Sequence, residues 1–207
     1  LVANLTFNQA DVDAWLPTYV ADLRRRSVPQ QYSISKSQPL PKSTAKKFRL
    51  FFSDYFFKND RLFEMSSDIN WHDRHFASYI FVPLQVSSDT QLVLNSNINN
   101  IDLINTLLSD EVYKNRNFII KFHPCDSHSS VEYILKLIQG DARFKINQGS
   151  TVGLIEDSSE VITINSTVGM EAKILQKSVT FLGESFFKNM SRDAVFSYIF
   201  KYLISLD

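Results

Sequence analysis

The chain has 207 residues, enough for one large domain or two small ones, and 44% of them are hydrophobic, which fits a soluble body with a real core. Twenty-two basic and twenty-two acidic residues cancel, so there is no global field to draw in nucleic acid, and no nucleic-acid partner is expected. The single cysteine, Cys125, excludes an internal disulfide and suits a reducing cytoplasm, and no apolar run approaches the roughly 20 residues that span a bilayer.

The first predicted element is a helix. Asn8 is placed to cap it, Val12, Trp15, Leu16, Tyr19, Val20 and Leu23 recur at helical spacing, and Pro17 is expected to kink it. Arg24-Arg25-Arg26 at its end, and the basic run from Lys42 to Arg49, read as solvated helix faces. Such faces would also suit an anionic membrane or a lipid-linked phosphate, so peripheral contact with the inner membrane is the one departure expected from a cytoplasmic location. Residues 27–43, with Pro29, Pro39, Pro41 and many Ser and Gln, read as a linker. The aromatic segment Phe48 to Phe57 reads as core, or as a face that meets a missing domain. His72, Asp73 and His75 superficially suggest a metal site, but no further ligand cluster supports one, and surface or interdomain polarity is the preferred reading.

From residue 76 short apolar runs alternate with helical periodicity. Strands are predicted at Tyr79 to Pro83, Phe118 to Phe122, Phe144 to Ile146, Val161 to Ile164 and Val179 to Leu182, with helices near 99–114, 129–139, 167–176 and 192–205. Ser129 and Glu132 form a predicted capping box, and Gly140 stands where a C-terminal glycine belongs. Alternation of this kind makes an α/β fold, a Rossmann-like parallel sheet with helices on both faces. The expected division is 1–75 as a helical and linker segment and 76–207 as the Rossmann-like, nucleotide-binding domain. Leu1 is not an initiator methionine and the five glycines all lie between Gly140 and Gly183, so the chain is read as the C-terminal part of a longer protein with an N-terminal half missing.

Three strand ends carry polar residues where open α/β sheets place ligands. After the first strand, Asp89 is flanked by Gln85, Ser88, Thr90 and Gln91. A carboxylate among amides and hydroxyls can act as nucleophile or base while the amides hold a hydroxyl-rich substrate; the rival reading is a loop cap or Asx-turn. The second strand ends in His123, where an imidazole can hydrogen-bond a phosphate or protonate a leaving group, and Pro124 stops the ladder. Cys125 beside it reads as a small residue after a strand rather than a nucleophile, and Asp126 and His128 as loop before the next helix. The fourth strand runs into Asn165-Ser166-Thr167, whose hydroxyls and free amides at a helix start suit phosphate, unless Asn165 or Ser166 is simply a cap. Gly169 would let that helix pack closely on the sheet. No Gly-x-Gly-x-x-Gly follows a predicted strand, which counts against a generic dinucleotide-binding domain.

Val82-Pro-Leu-Gln-Val-Ser-Ser-Asp-Thr-Gln91, Lys121-Phe-His-Pro124 and Thr163-Ile-Asn-Ser-Thr-Val-Gly-Met-Glu-Ala172, followed by Val179-Thr-Phe-Leu-Gly183, together resemble the bacterial retaining β-Kdo transferases of capsule and O-antigen assembly. The resemblance covers about 76 to 190 in the family's order and approximate spacing, and residues 1–75 match only loosely. It implies the C-terminal half of a GT-B glycosyltransferase. Such an enzyme takes Kdo from CMP-β-Kdo and attaches it, with retained anomeric configuration, to a glycan or lipid-linked glycan acceptor. It implies no metal and no other cofactor, and a missing N-terminal Rossmann-like domain that carries the acceptor surface. The residues it points to as catalytic are Asp89, as the nucleophile that forms a covalent Kdo adduct, and His123. CMP or Kdo contacts would come from Gln85, Gln91, Lys121, His123, Pro124, Asn165, Ser166, Thr167 and Glu171, the last through ribose contact or helix packing. The turn 147–156 is the place expected to read cytosine. Two rival readings stay open: another CMP-sugar transferase of the sialyltransferase-like kind, and a non-catalytic scaffold derived from a transferase.

Overall fold

Five short runs rich in β-branched and aromatic residues lie side by side as parallel strands: β1 (Ile80–Pro83), β2 (Phe118–Lys121), β3 (Phe144–Ile146), β4 (Glu160–Thr163) and β5 (Ser178–Phe181). The computed structural model describes residues 8–25 and 78–202. Across the sheet the order is β3-β2-β1-β4-β5. Ile80 of β1 stands opposite Phe118 of β2 on one side and Glu160 of β4 on the other. The helices are α1 (Gln9–Arg25), α2 (Thr90–Asn95), α3 (Asn100–Ser109), α4 (His128–Ile138), α5 (Thr151–Asp157), α6 (Thr167–Ile174) and α7 (Arg192–Tyr202).

Alternation along the strands sorts the core into two layers. Ile80, Val82, Ile120 and Ile162 turn to one face and bury against Leu103 and Leu107 of α3 and Val131 and Ile134 of α4. Phe81, Ile119 and Val161 turn to the other and meet Leu154 and Ile155 of α5 and Ala172 of α6. Outside this second layer, Val12 of α1 packs with Ile174 of α6 and Val195 and Phe196 of α7. The sheet therefore has helices on both faces, as the sequence led one to expect. Each fully buried aliphatic or aromatic side chain contributes about 1.5–3 kcal/mol of transfer free energy, so the central strands are the stable part of the fold.

Local chemistry fixes the helix ends. The Asn8 carboxamide accepts the Ala10 N–H at 3.1 Å, so the expected cap of α1 is in place, and Pro17 lies inside a helix that continues past it. Gly140, after α4, has a φ of +86°, a conformation that suits glycine. Three expectations need correction. The helix near 99–114 ends at Ser109, because the Asp110 side chain accepts the Val112 N–H at 3.0 Å and starts a 3-10 turn, Glu111–Tyr113. The cap of α4 is Ser127, which accepts the Ser130 N–H at 3.2 Å; Glu132, expected in a capping box, pairs with Lys136 at 3.2 Å instead. Helices α2 and α5 have no strong sequence period, being 6 and 7 residues long, and the second lies within what reads as a loop.

The expectations for 27–43, Lys42 to Arg49, Phe48 to Phe57, His72, Asp73 and His75 lie outside the described residues. Arg24, within them, pairs with Glu156 of α5 at 2.5 Å. Among the described residues no helix is long and apolar enough to cross a membrane.

Candidate functional site

The strand order reverses direction at β1, with β2 on one side and β4 on the other. In such sheets the crevice beyond the carboxyl ends of the strands at that switch point is where ligands sit. Here that switch point is marked by Gln85, after β1, and Asn165, after β4. These two residues grip one another: Gln85 Nε2 donates to Asn165 Oδ1 at 2.8 Å, and the Asn165 backbone N–H donates to Gln85 Oε1 at 3.1 Å. Asn100, 2% exposed at the start of α3, holds the Gln85 backbone, donating from Nδ2 to its carbonyl at 2.7 Å and accepting its N–H at 3.3 Å. The structure thus brings Gln85 and Asn165 together, their amides committed to each other in a bridge between the ends of β1 and β4.

Next along the chain, Asp89 closes a turn by donating its N–H to the Val86 carbonyl at 2.9 Å, and its own carbonyl accepts the Val93 N–H at 2.9 Å, which starts α2. Asp89 is half-buried. Gln91 follows in the first turn of α2.

His123 lies beyond β2, half-buried. Its Nδ1 accepts the Cys125 N–H at 3.1 Å, and its carbonyl accepts the Asp126 N–H at 3.0 Å, so the His-Pro turn is pinned at side chain and backbone. An Nδ1 that accepts an amide hydrogen cannot carry a proton, so the neutral ring bears its hydrogen on Nε2. Burial lowers the pKa of His123; the charges of Asp126 and Asp89 pull the other way, and Lys121 adds to the lowering. Two consequences follow. The imidazole is a neutral hydrogen-bond donor, which fits the phosphate-binding role better than the protonation of a leaving group. Asp89 and His123, 34 positions apart in sequence, lie within electrostatic reach of each other. Cys125 serves through its backbone; burial pushes its thiol up, away from the thiolate a nucleophile needs. Pro124 is half-buried and ends the strand.

Lys121 does something the sequence does not suggest. Its ammonium donates to the Gly149 carbonyl at 2.6 Å and to Thr151 Oγ1 at 2.7 Å, tying the turn before α5 to β2. Burial pushes its pKa down to about 8, against the pull of Glu171. Glu171 itself is 7% exposed on α6. The turn expected to read cytosine is therefore a capped helix start: Ser150 accepts the Gly153 N–H at 3.3 Å.

At β4, Ser166 is the cap of α6 and accepts the Val168 N–H at 3.2 Å, while Thr167, its first residue, is exposed. The capping reading of this segment is thus the one the structure shows for Ser166, and the Thr167 hydroxyl and the positive end of the helix dipole remain at the helix start. Gly169 brings α6 down onto the sheet: a Cβ there would collide with the Phe181 ring and sit 3.2 Å from Thr163 Cγ2. Thr163 Oγ1, fully buried beneath the same turn, has no hydrogen-bond partner.

Sequence reasoning missed Asn100, and it placed Asp126 in its loop without the bonds that Asp126 makes. Each has an ordinary local role, one at a helix start and one in a turn, and their long-range bonds have no sequence signal. Among the described residues no group of three or more His, Cys, Asp or Glu side chains is placed to hold a metal ion.

The model of one protein family, described as capsule polysaccharide biosynthesis protein, matches residues 55–191. Over 113 residues the chain is 36% identical to Protein FixF of Sinorhizobium fredii (strain NBRC 101917 / NGR234); the match takes in 52% of this chain and 27% of that protein, so the chain spans about a quarter of the length of this curated relative. Among solved structures, Thermosulfurimonas dismutans KpsC, beta Kdo 2,7 transferase, matches at 22% identity and a TM-score of 0.49, over 69% of this chain and 51% of that one. Thermosulfurimonas dismutans KpsC, beta Kdo 2,4 transferase, matches at 14% identity and a TM-score of 0.46, over 70% and 54% of the two chains.

Proposed function

Since this chain belongs to the capsule polysaccharide biosynthesis protein family, we propose that it is a glycosyltransferase domain of bacterial surface-polysaccharide assembly that takes Kdo from CMP-β-Kdo. What supports this reading is a neutral Nε2–H donor at the end of β2 and a capped helix start at the end of β4, on the two strands that flank β1, together with a carboxylate whose charge is felt at the imidazole. The first two suit the phosphate of a cytidylate. The third suits the carbon it leaves.

In this reading His123 and the start of α6 hold the phosphate and stabilise the charge that develops on it as CMP departs. The Asp89 carboxylate attacks the anomeric carbon, a carbon–oxygen bond forms, and the bond to the CMP phosphate breaks with its electron pair going to CMP. An acceptor hydroxyl then displaces the carboxylate and gives up its proton. Two inversions leave the configuration retained. The Gln85–Asn165–Asn100 amides bridge the ends of β1 and β4, and Lys121 holds the turn before α5 in place. The acceptor is a glycan or lipid-linked glycan, bound with the help of a second Rossmann-like domain in the GT-B arrangement.

The test is intact-mass analysis after incubation with CMP-Kdo. A covalent Kdo adduct is expected on the parent chain and none on Asp89→Asn. An adduct that persists in Asp89→Asn would remove Asp89 from the nucleophile's role.

A further inference from the structure

We propose that Asp126 is a positioning residue, a buried latch that holds the loop carrying Asp89 against the loop carrying His123; this rests on the reading of those two residues given above. Asp126 is 2% exposed. A carboxylate so deeply placed is costly unless its oxygens are satisfied, and three donors satisfy it. Oδ1 accepts the backbone N–H of Ser87 at 3.0 Å and that of Ser127 at 2.9 Å, and Oδ2 accepts the Ser87 hydroxyl at 3.2 Å.

The pattern of these bonds argues for a long-range role. Helix α4 is capped by Ser127 through its own hydroxyl, so the helix does not need Asp126 for its cap. Two of the three donors come from Ser87, which is 39 positions away in sequence and two before Asp89. At the same time the Asp126 N–H donates to the His123 carbonyl at 3.0 Å. A single residue therefore touches the His-Pro turn with its backbone and the Asp89 turn with its carboxylate. Ser87 is exposed and its loop runs over the surface, where segments wander unless they are tied down. The separation between the attacking carboxylate and the phosphate anchor is then set by Asp126, and a misplacement of about 1 Å in such a geometry costs up to about a hundredfold in rate.

The experiment compares Asp126→Ala, Asp126→Asn and Ser87→Ala with the parent chain by three measurements: amide hydrogen exchange at Ser87 to Asp89, CMP affinity, and the rate of Kdo adduct formation at saturating CMP-Kdo. In Asp126→Ala, exchange at Ser87 to Asp89 is expected to accelerate while the β2 amides stay protected, CMP affinity is expected to stay near that of the parent, and the adduct rate to fall about ten- to a hundredfold. Asp126→Asn keeps a carbonyl oxygen for the two amide donors and is expected to recover much of the rate, with Ser87→Ala in between. Unchanged exchange at Ser87 to Asp89, or equal losses of CMP affinity and adduct rate, would overturn the proposal. Should Asp126→Ala fail to fold, the other two variants carry the comparison. A parent chain that forms no adduct would count against the reading of Asp89, and the exchange at Ser87 would still decide whether Asp126 is a latch.

Discussion

With the Cys125 N–H on its Nδ1, the His123 ring is fixed as the Nε2–H tautomer, and burial disfavours its charged form despite the carboxylates of Asp126 and Asp89 nearby. Imidazole nitrogen NMR is therefore expected to show an Nε2–H ring at pH 7 and a titration midpoint below the ordinary 6.5; an Nδ1–H pattern or a higher midpoint would contradict the assignment. The sign for stability follows. The unfolded chain takes up this proton first as pH falls, so the contribution of His123 is intact above about 6.5 and is lost as pH drops through the lower folded value. Lys121 obeys the same rule at the basic end. Its folded value is pushed down to about 8 from 10.5, so between those two pH values the unfolded chain holds more protons and stability rises with pH. Denaturant titrations at pH 7.5 and 10 are expected to show a gain on the order of 1–3 kcal/mol for the parent relative to Lys121→Met; equal behaviour of the two chains would show that the lysine is not desolvated. The candidacy of His123 is legible from its place after an apolar strand. Its tautomer is not, because that depends on a backbone amide two residues on.

At the scale of elements, α6 is where packing and site meet. Gly169 admits the Phe181 ring, and any Cβ would have to displace it or Thr163. Gly169→Ala is expected to destabilise the fold by about 1–3 kcal/mol, read as a lower thermal midpoint; an unchanged midpoint would mean the ring has room to move. The closeness of this helix was legible, since a glycine within an apolar-faced helix after a strand has few other uses. The strands were legible too, for runs such as Phe118 to Phe122 are too apolar and too short for anything but a buried parallel strand. Helices α2 and α5 were not, because one or two turns give too few residues for a period to show. The caps of α4 misled for a physical reason: Ser127, Ser129 and Ser130 cluster there, and composition alone does not say which hydroxyl meets an amide.

The whole molecule is organised by the β3-β2-β1-β4-β5 order, which places the ends of β1, β2 and β4 side by side although they are far apart along the chain. That the fold is a parallel α/β sheet followed from the alternation of elements; that Asn100 and Asp126 join its loops did not, since contacts between distant turns leave no trace in local pattern. The central claim is that the tips of β2 and β4 hold one cytidylate between them. It is tested most directly by titrating the isotopically labelled chain with CMP while following the His123 imidazole and the Ser166 to Val168 amides. Both sets are expected to shift with a common midpoint, and neither to respond to UDP or GDP. Two different midpoints, or a response confined to one of the two tips, would contradict it.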